Sequence, residues 1–170
     1  LKVATMEESP RILELAGEDL HKVAHAYGTN GIITQVEMPL APAYDWVDVI
    51  VGFPSLRAAT EFANQLGEQD GLTLKNLSVV AAPAPHDYFL RHRKFLPRES
   101  HLVIVMVADF AVESLLAYAR RFRGAELLLR SDRLSAEDAK GLPPAYELGW
   151  NHTTLRALRV DPAITYLQVL

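Results

Sequence analysis

The sequence predicts an α+β fold in which an antiparallel sheet carries two helices on one face. Three observations favour this class. Apolar runs of strand length alternate with amphipathic helical stretches, glycines stand where those helices would end, and the order strand–helix–strand occurs twice. With 170 residues, of which 49% are hydrophobic, the chain is long enough for one domain with an appendage and a core of its own.

Over residues 1–40 the sequence predicts a short extended start, a helix and a strand. Apolar residues recur at helical spacing over residues 17–27, and Gly28 follows where such a helix would end. The run over residues 32–38 is rich in β-branched side chains and predicts a strand. Pro39 and Pro42 then break the pattern, which places a domain boundary near residues 40–44.

The first strand–helix–strand unit follows this boundary. Trp46–Phe53 is an apolar run that predicts a strand, and Ser55 is a favourable N-cap for the helix after it. That helix has one apolar face and ends at Gly67. Residues 72–80 predict the second strand.

The second unit repeats the plan after a proline-bounded loop with a short helix over residues 81–100. His101–Ala108 predicts a strongly buried strand, and Asp109 is the expected N-cap of the next helix. An apolar face predicts a helix that closes at Gly124, and Glu126–Arg130 predicts the fourth strand. Two β-α-β units of this kind predict the split βαβ, or ferredoxin-like, arrangement with N-terminal and C-terminal appendages.

In the C-terminal appendage the sequence predicts a short helix over residues 134–140 and a break over residues 141–144. A loop leading into a helix is predicted over residues 150–159. Residues 164–170 predict a final strand. Because the chain starts without Met and stops inside an apolar run, we expect a piece of a longer protein, truncated at its C-terminus.

Charge and composition exclude several classes of function. The net charge of −4 disfavours a general nucleic-acid or anionic-membrane surface. The chain has no cysteine, which excludes disulfides and cysteine metal sites, and no apolar run reaches the length of a membrane span. Without a signal-peptide pattern either, the sequence predicts a cytoplasmic location.

Two histidines have the spacing of a zinc-binding helix. His21 and His25 are four residues apart, but Lys22 stands where zinc hydrolases have the glutamate that acts as base. No third ligand is close in sequence. We therefore predict no metal site and expect solvated or partly packed histidines.

A basic run, Arg91-His-Arg-Lys94, allows two interpretations. Arg91 and Arg93 are candidates for binding the carboxylate or phosphate of a substrate, because guanidinium groups pair well with both. The alternative is an ordinary solvated loop. Nucleophile-elbow, Walker and dinucleotide-binding motifs are all missing from the sequence.

Two further segments carry groups suited to ligand binding. In Gly28-Thr-Asn-Gly-Ile-Ile-Thr34 the glycines let backbone approach a flat or charged ligand closely, although such pairs also mark ordinary turns. Trp150-Asn-His-Thr-Thr154 clusters an indole, an amide, an imidazole and two hydroxyls, and the imidazole of His152 can exchange protons near neutral pH. A helix cap with a packed tryptophan is the alternative for this segment.

Residues 24–40, which include the glycine stretch, resemble the end of the FAD-binding domain in the vanillyl-alcohol oxidase / p-cresol methylhydroxylase superfamily of flavoproteins. In that family Gly-x-x-Gly-Ile-Ile/Val-Thr-Glu closes the flavin domain and its backbone runs along FAD. Gln35 stands where Glu is commoner. The run from Trp46 is similar to the start of the cap domain of FAD-linked oxidases of the glycolate oxidase / D-lactate dehydrogenase type, and residues 150–168 are similar to a segment of bacterial FAD-binding oxidoreductases.

The resemblance implies that residues 1–42 are the tail of an FAD-binding domain and that residues 43–170 are a ferredoxin-like cap or substrate domain. For the full-length protein it implies FAD as cofactor, a 2-hydroxy acid or alcohol as substrate, and hydride transfer to the flavin. Most of the flavin site would lie outside these 170 residues, so we expect them to be inactive alone. The positions that match flavin contacts are Gly28, Thr29, Gly31, Ile32 and Ile33.

Substrate residues do not follow from the resemblance. Residue types alone suggest His152 as a catalytic candidate, and Arg91, Arg93, Trp150 and Asn151 as substrate-binding candidates. The rest of the same polypeptide and a second copy of the chain are the expected partners. An alternative class stays open, namely a free-standing ferredoxin-like module that binds a ligand or dimerises and has no catalytic activity.

Overall fold

The computed structural model describes residues 1–150 and 157–165, and these form an α+β protein with two antiparallel sheets. The chain divides into two compact units, Leu1–Ala43 and Tyr44–Leu170. None of the helices in the described ranges combines the length and the apolar character that crossing a bilayer requires.

The first unit is a small three-stranded sheet. Its strands are β1 (Lys2–Ala4), β2 (Ile12–Glu14) and β3 (Ile32–Gln35), arranged in the order β2-β1-β3. The predicted strand over residues 32–38 is present but shorter, and three-residue strands such as β1 and β2 are too short to show alternation in the sequence.

The helix expected over residues 17–27 was wrong. A 3₁₀ turn, Gly17–Lys22, stands there, and none of its residues is buried. The apolar spacing of this segment therefore faces no core, and a short helix without tertiary packing is not stable.

The second unit is built on a four-stranded antiparallel sheet. Its strands are β4 (Trp46–Phe53), β5 (Leu74–Val80), β6 (His101–Ala108) and β7 (Glu126–Arg130), in the order β5-β6-β4-β7. β4 and β6 pair over their whole length, from Trp46 opposite Ala108 to Phe53 opposite His101. The bounds of β4, β6 and β7 are those predicted, and β5 begins two residues later than expected.

The helices of this unit include α1 (Leu56–Gly67), α2 (Ala84–Tyr88), α3 (Val112–Ala119), α4 (Ala136–Ala139) and α5 (Ala157–Val160). The predicted cap of α1 is confirmed, since the Ser55 hydroxyl accepts the Ala58 N–H at 3.2 Å. The predicted cap of α3 was wrong. Asp109 begins the 3₁₀ turn Asp109–Ala111, so that Ala111 is the N-cap of α3, and the Asp109 carboxylate accepts the neighbouring Phe110 N–H instead.

One face of this sheet packs against α1 and α3. Phe62 of α1 lies at the centre, with its ring 5.1 Å from that of Phe53 on β4 and 5.0 Å from that of Phe122 after α3. The valines of β4 and β6 that point to this face are buried with it. The apolar faces predicted for the two helices are thus the faces they bury.

The opposite face is covered by two segments that the sequence predicts to be a loop and an appendage. They are residues 81–100 and residues 134–149. Ile50, Leu102, Ile104 and Leu129 from the strands pack there with Phe89, Leu96, Ala145 and Leu148 from the two segments. Treating residues 134–149 as an appendage was wrong, because strands that are apolar on both faces need a cover on both.

The described part of the C-terminal region contains α5 and a turn in which the Ile164 N–H donates to the Asp161 carbonyl at 3.3 Å. The helix expected over residues 150–159 is therefore seen only in its last turn. Most of the strand expected over residues 164–170 lies outside the described residues, as do residues 151–156.

Candidate functional site

The glycine stretch forms a turn that leads into β3. Gly28 has φ +77°, and a Cβ built on it would meet nothing within 4 Å, so the backbone is open to an approaching group there. The Thr29 hydroxyl donates to the Ala26 carbonyl at 2.6 Å and closes the turn. Gly31 has a different environment: a Cβ on it would lie 2.6 Å from Cγ1 of Val3, so the sheet itself requires glycine.

Ile32 and Ile33 lie on β3, an edge strand of the first sheet. Their side chains point to opposite faces of the sheet and are 60% and 45% exposed, so neither face covers them. Because β3 is an edge, one side of its backbone makes no ladder hydrogen bonds within this sheet. The stretch therefore offers an apolar surface beside free backbone polar groups.

The basic run of residues 91–94 is largely used to hold its own segment together. Arg93 donates to the carbonyls of His86 and Asp87 at 2.8 and 2.9 Å. Arg91 donates to the Gly141 carbonyl at 3.1 Å, and Lys94 pairs with Asp138. The Arg93 contacts stay within residues 81–100, whereas those of Arg91 and Lys94 tie this segment to residues 134–149. Both are structural uses of the cations.

Arg91 also borders a cavity of about 190 Å³ beside the second core. Its other lining residues are Tyr88, Phe89, Leu90, His92, Pro143, Leu148, Arg159 and Val160. Arg91 and Arg159 give this mainly apolar cavity a cationic rim. Arg93 does not line it, so the structure separates the two arginines that the sequence grouped together.

Trp150 is half exposed, and its ring lies 5.3 Å from the ring of Tyr146. Asn151 and His152, the other candidates of that segment, lie outside the described residues. His25 bonds to the Tyr27 hydroxyl at 2.7 Å. Within the described ranges, no group of three or more His, Cys, Asp or Glu side chains is placed to hold a metal ion.

Two buried polar side chains lie on the second face of the large sheet, Asp48 and His92, and neither was predicted from the sequence. Asp48 lies in the central strand β4, where its N–H donates to the Ser131 hydroxyl at 2.9 Å. Its carboxylate oxygen Oδ2 accepts the Ala145 N–H at 2.7 Å. Burial raises the pKa of this carboxyl, against the opposing effect of the Ala145 and Tyr146 N–H groups.

His92 is only 1% exposed, and it lies between the two segments that cover the sheet. Burial lowers the pKa of its imidazole to about 4, so the ring is neutral at physiological pH. A carboxylate inside the apolar run Trp46–Phe53 was the sequence signal for Asp48. His92 gave no separate signal, because it stands in a basic run.

Asp48 and His92 line a common cleft of about 220 Å³. The other walls are apolar apart from Ser131, and they come from β7 and residues 134–145. This cleft combines buried polar groups with an apolar lining, which is the usual character of a small-molecule site.

No protein-family model matches the chain, and no curated protein matches it either.

Proposed function

We propose that this chain is the end of an FAD-binding domain followed by the cap domain of an FAD-dependent oxidoreductase, which oxidises a 2-hydroxy acid or an alcohol by hydride transfer to flavin. The resemblance over residues 24–40 supports the family. The observation that carries the proposal is the exposed apolar surface of Leu1–Ala43, which this unit does not bury by itself.

The first unit lacks a core of its own. Val3 is its one buried hydrophobic side chain, and every residue of Leu1–Ala43 is described. Large apolar side chains are exposed along the unit at Met6, Ile12, Leu13, Tyr27, Ile32, Ile33, Val36, Met38 and Leu40. A unit this small cannot offset the entropy of folding without more burial. Its apolar surface therefore favours a place inside a larger domain.

The residues of the glycine stretch fit a flavin. The open backbone at Gly28 and the free edge of β3 would bind its polar groups, and Ile32 or Ile33 would pack against its flat ring. FAD, when bound, supplies the hydride acceptor. Gly31 contributes indirectly, because it lets β3 lie close to β1.

The finer fold of the second unit belongs to the same proposal. Its strand order β5-β6-β4-β7, with α1 joining β4 to β5 and α3 leading from β6 to β7, supports a ferredoxin-like cap domain. Such a cap would place residues 81–100 and 134–149 on the face opposite its two long helices. That face carries both the cavity of about 190 Å³ and the cleft of about 220 Å³.

Flavin content of the protein made from its complete open reading frame tests the proposal. We expect the visible spectrum of an oxidised flavin, and its bleaching when a 2-hydroxy acid or an alcohol is added without oxygen. Gly28→Ala should lower the flavin content. Gly17→Ala is the matched control, since Gly17 has φ +56° and equally open surroundings but lies outside the stretch. A complete protein without flavin, or equal flavin loss in both variants, would contradict the proposal.

A second candidate is a free-standing ferredoxin-like module that binds a ligand or dimerises without catalysis. The favouring observation is that Tyr44–Leu170 builds a core on each face of its sheet from its own residues. This candidate predicts that residues 44–170 fold alone and that the complete protein carries no flavin. The flavin measurement above therefore separates the two candidates.

A further inference from the structure

The cleft beside β4 holds two buried polar atoms without a partner. Among the described residues, neither Oδ1 of Asp48 nor Nε2 of His92 has a hydrogen-bond partner. Buried polar groups in proteins are nearly always hydrogen-bonded, and an unpaired one is costly. Two such atoms on residues that line one cleft therefore indicate a site for a group that would bond to them.

Asp48 offers an acceptor. Its other oxygen, Oδ2, already accepts the Ala145 N–H, which fixes the carboxylate in the wall of the cleft. The nearby negative charge of Glu147 raises the pKa of Asp48 further. A positively charged ligand would offset both the cost of burying the Asp48 carboxylate and its repulsion by Glu147.

His92 offers a second acceptor in one of its two neutral tautomers. Hydrogen bonding to the backbone of Pro143, which has no N–H and can only accept, opposes the lowering of the pKa of the ring. Nε2 is the ring nitrogen left without a partner, and the tautomer with its hydrogen on Nδ1 lets the ring donate to that carbonyl. In the neutral ring Nε2 is then an unprotonated acceptor.

We propose that this cleft binds a primary ammonium group carried on a small apolar body. An ammonium group has three N–H donors and can satisfy both acceptors at once, whereas a hydroxyl has one hydrogen and can satisfy one. Its charge complements the carboxylate of Asp48. The apolar walls, which include Leu129, Leu134 and Leu142, suit an aliphatic or aromatic substituent.

The size of the cleft agrees with such a ligand. A cavity of roughly 150 Å³ is enough to hold benzene, and this cleft measures about 220 Å³. The site lies within the second unit, and it requires no flavin. Its test is therefore independent of the function proposed above.

Titration calorimetry of the full 170-residue chain with benzylammonium and benzyl alcohol tests the proposal, since the two probes share a ring and differ in their donors. We expect benzylammonium to bind at least about tenfold more tightly, which corresponds to one charge-assisted hydrogen bond. Asp48→Asn should remove that advantage. Asp70→Asn, which removes a carboxylate from the exposed turn after α1, should leave it unchanged.

A measurement on the unsubstituted chain keeps the test decisive if Asp48→Asn folds poorly. The ¹⁵N resonance of His92 Nε2 should move to lower chemical shift when benzylammonium is added, because its lone pair accepts a hydrogen bond. Equal affinity for the two probes would show a merely apolar cleft and overturn the proposal. An unmoved Nε2 resonance at saturation would also overturn it.

Discussion

Single residues decide how the second face of the large sheet is closed. Asp48 is a carboxylate in a central strand, and its bond to the Ala145 N–H joins β4 to the 3₁₀ turn Ala145–Gly149. Removing the carboxylate altogether leaves that buried N–H without a partner. We therefore expect Asp48→Ala to destabilise the fold by about 1–3 kcal/mol.

Asp48→Asn separates the hydrogen bond from the charge. The amide oxygen can still accept the Ala145 N–H, and the unfavourable burial of a charge is removed. This variant should be as stable as the parent chain or more stable near neutral pH. Urea unfolding of both variants measures the difference, and an Asn variant as unstable as the Ala variant would contradict the argument.

His92 makes stability depend on pH in a defined window. Its pKa is lowered from 6.5 to about 4 in the folded chain, so between these values the unfolded chain binds a proton that the folded chain does not. Stability should therefore be complete above about pH 6.5 and fall as the pH is lowered towards about 4, by about 2–3 kcal/mol. Urea unfolding at a series of pH values measures the slope.

His92→Asn is the control for this dependence, since it keeps an N–H donor near the position of Nδ1 and does not titrate. Asp48 acts with the opposite sign, because a raised pKa makes its contribution to stability fall as the pH rises above the ordinary value of 3.8. The comparison of parent and His92→Asn cancels that contribution. The same slope in the parent and the variant between pH values of about 4 and 6.5 would show that a group other than His92 causes the dependence.

At the scale of elements, the segment over residues 81–100 shows that a loop can be part of the core. Leu96 is 1% exposed and packs under the sheet, whereas Leu90 in the same segment is 55% exposed. We expect Leu96→Ala to cost about 2–4 kcal/mol and Leu90→Ala less than about 0.5 kcal/mol. Chemical unfolding compares them, and similar small losses would mean that the segment is not a structural cover.

The first turn of α1 depends on its cap. Ser55→Ala removes the hydroxyl that accepts the Ala58 N–H, and it should lower the free energy of unfolding by about 1 kcal/mol. Ser55→Asp is the rescue, because a carboxylate accepts the same N–H and is favourable at a helix N-terminus. Thermal unfolding distinguishes them, and an Asp variant no more stable than the Ala variant would rule out the capping explanation.

The elements could be predicted where pattern and burial agree. β4, β6 and β7 were found because their side chains are β-branched or large and apolar, and α1 because a cap, an amphipathic face and a glycine stop coincide. The helix over residues 17–27 failed because helical spacing has no effect without a core to pack against. The role of residues 134–149 was missed because covering a sheet face is a tertiary property, which local pattern does not contain.

The candidate sites also divide into one that the local sequence predicts and one that depends on tertiary packing. The glycine stretch was visible because glycine has a backbone consequence wherever it stands. Asp48 and His92 are 44 residues apart in sequence, and only the pairing of β4 with its neighbours and the packing of residues 81–100 bring them to one cleft. That kind of convergence depends on topology, and one sequence does not reveal it.

At the scale of the whole molecule, the two units differ in how completely they bury their apolar residues. Tyr44–Leu170 has an apolar core on each face of its sheet, whereas Leu1–Ala43 buries one large side chain. Cooperative stability follows buried apolar surface. The second unit should therefore resist local opening far better than the first.

The stretch before Tyr44 should be an early site of proteolysis. Residues 36–43 are exposed and have no regular structure, and the Leu40 side chain is 93% exposed. Chymotrypsin under native conditions should cleave after Leu40 and leave a resistant fragment that begins at Ala41, because exposed irregular segments are the preferred sites of nicking. Mass spectrometry identifies the fragment, and Leu40→Ser should slow its appearance. Early cleavage within β4 or β6 instead would mean that the second unit does not hold together through its own core.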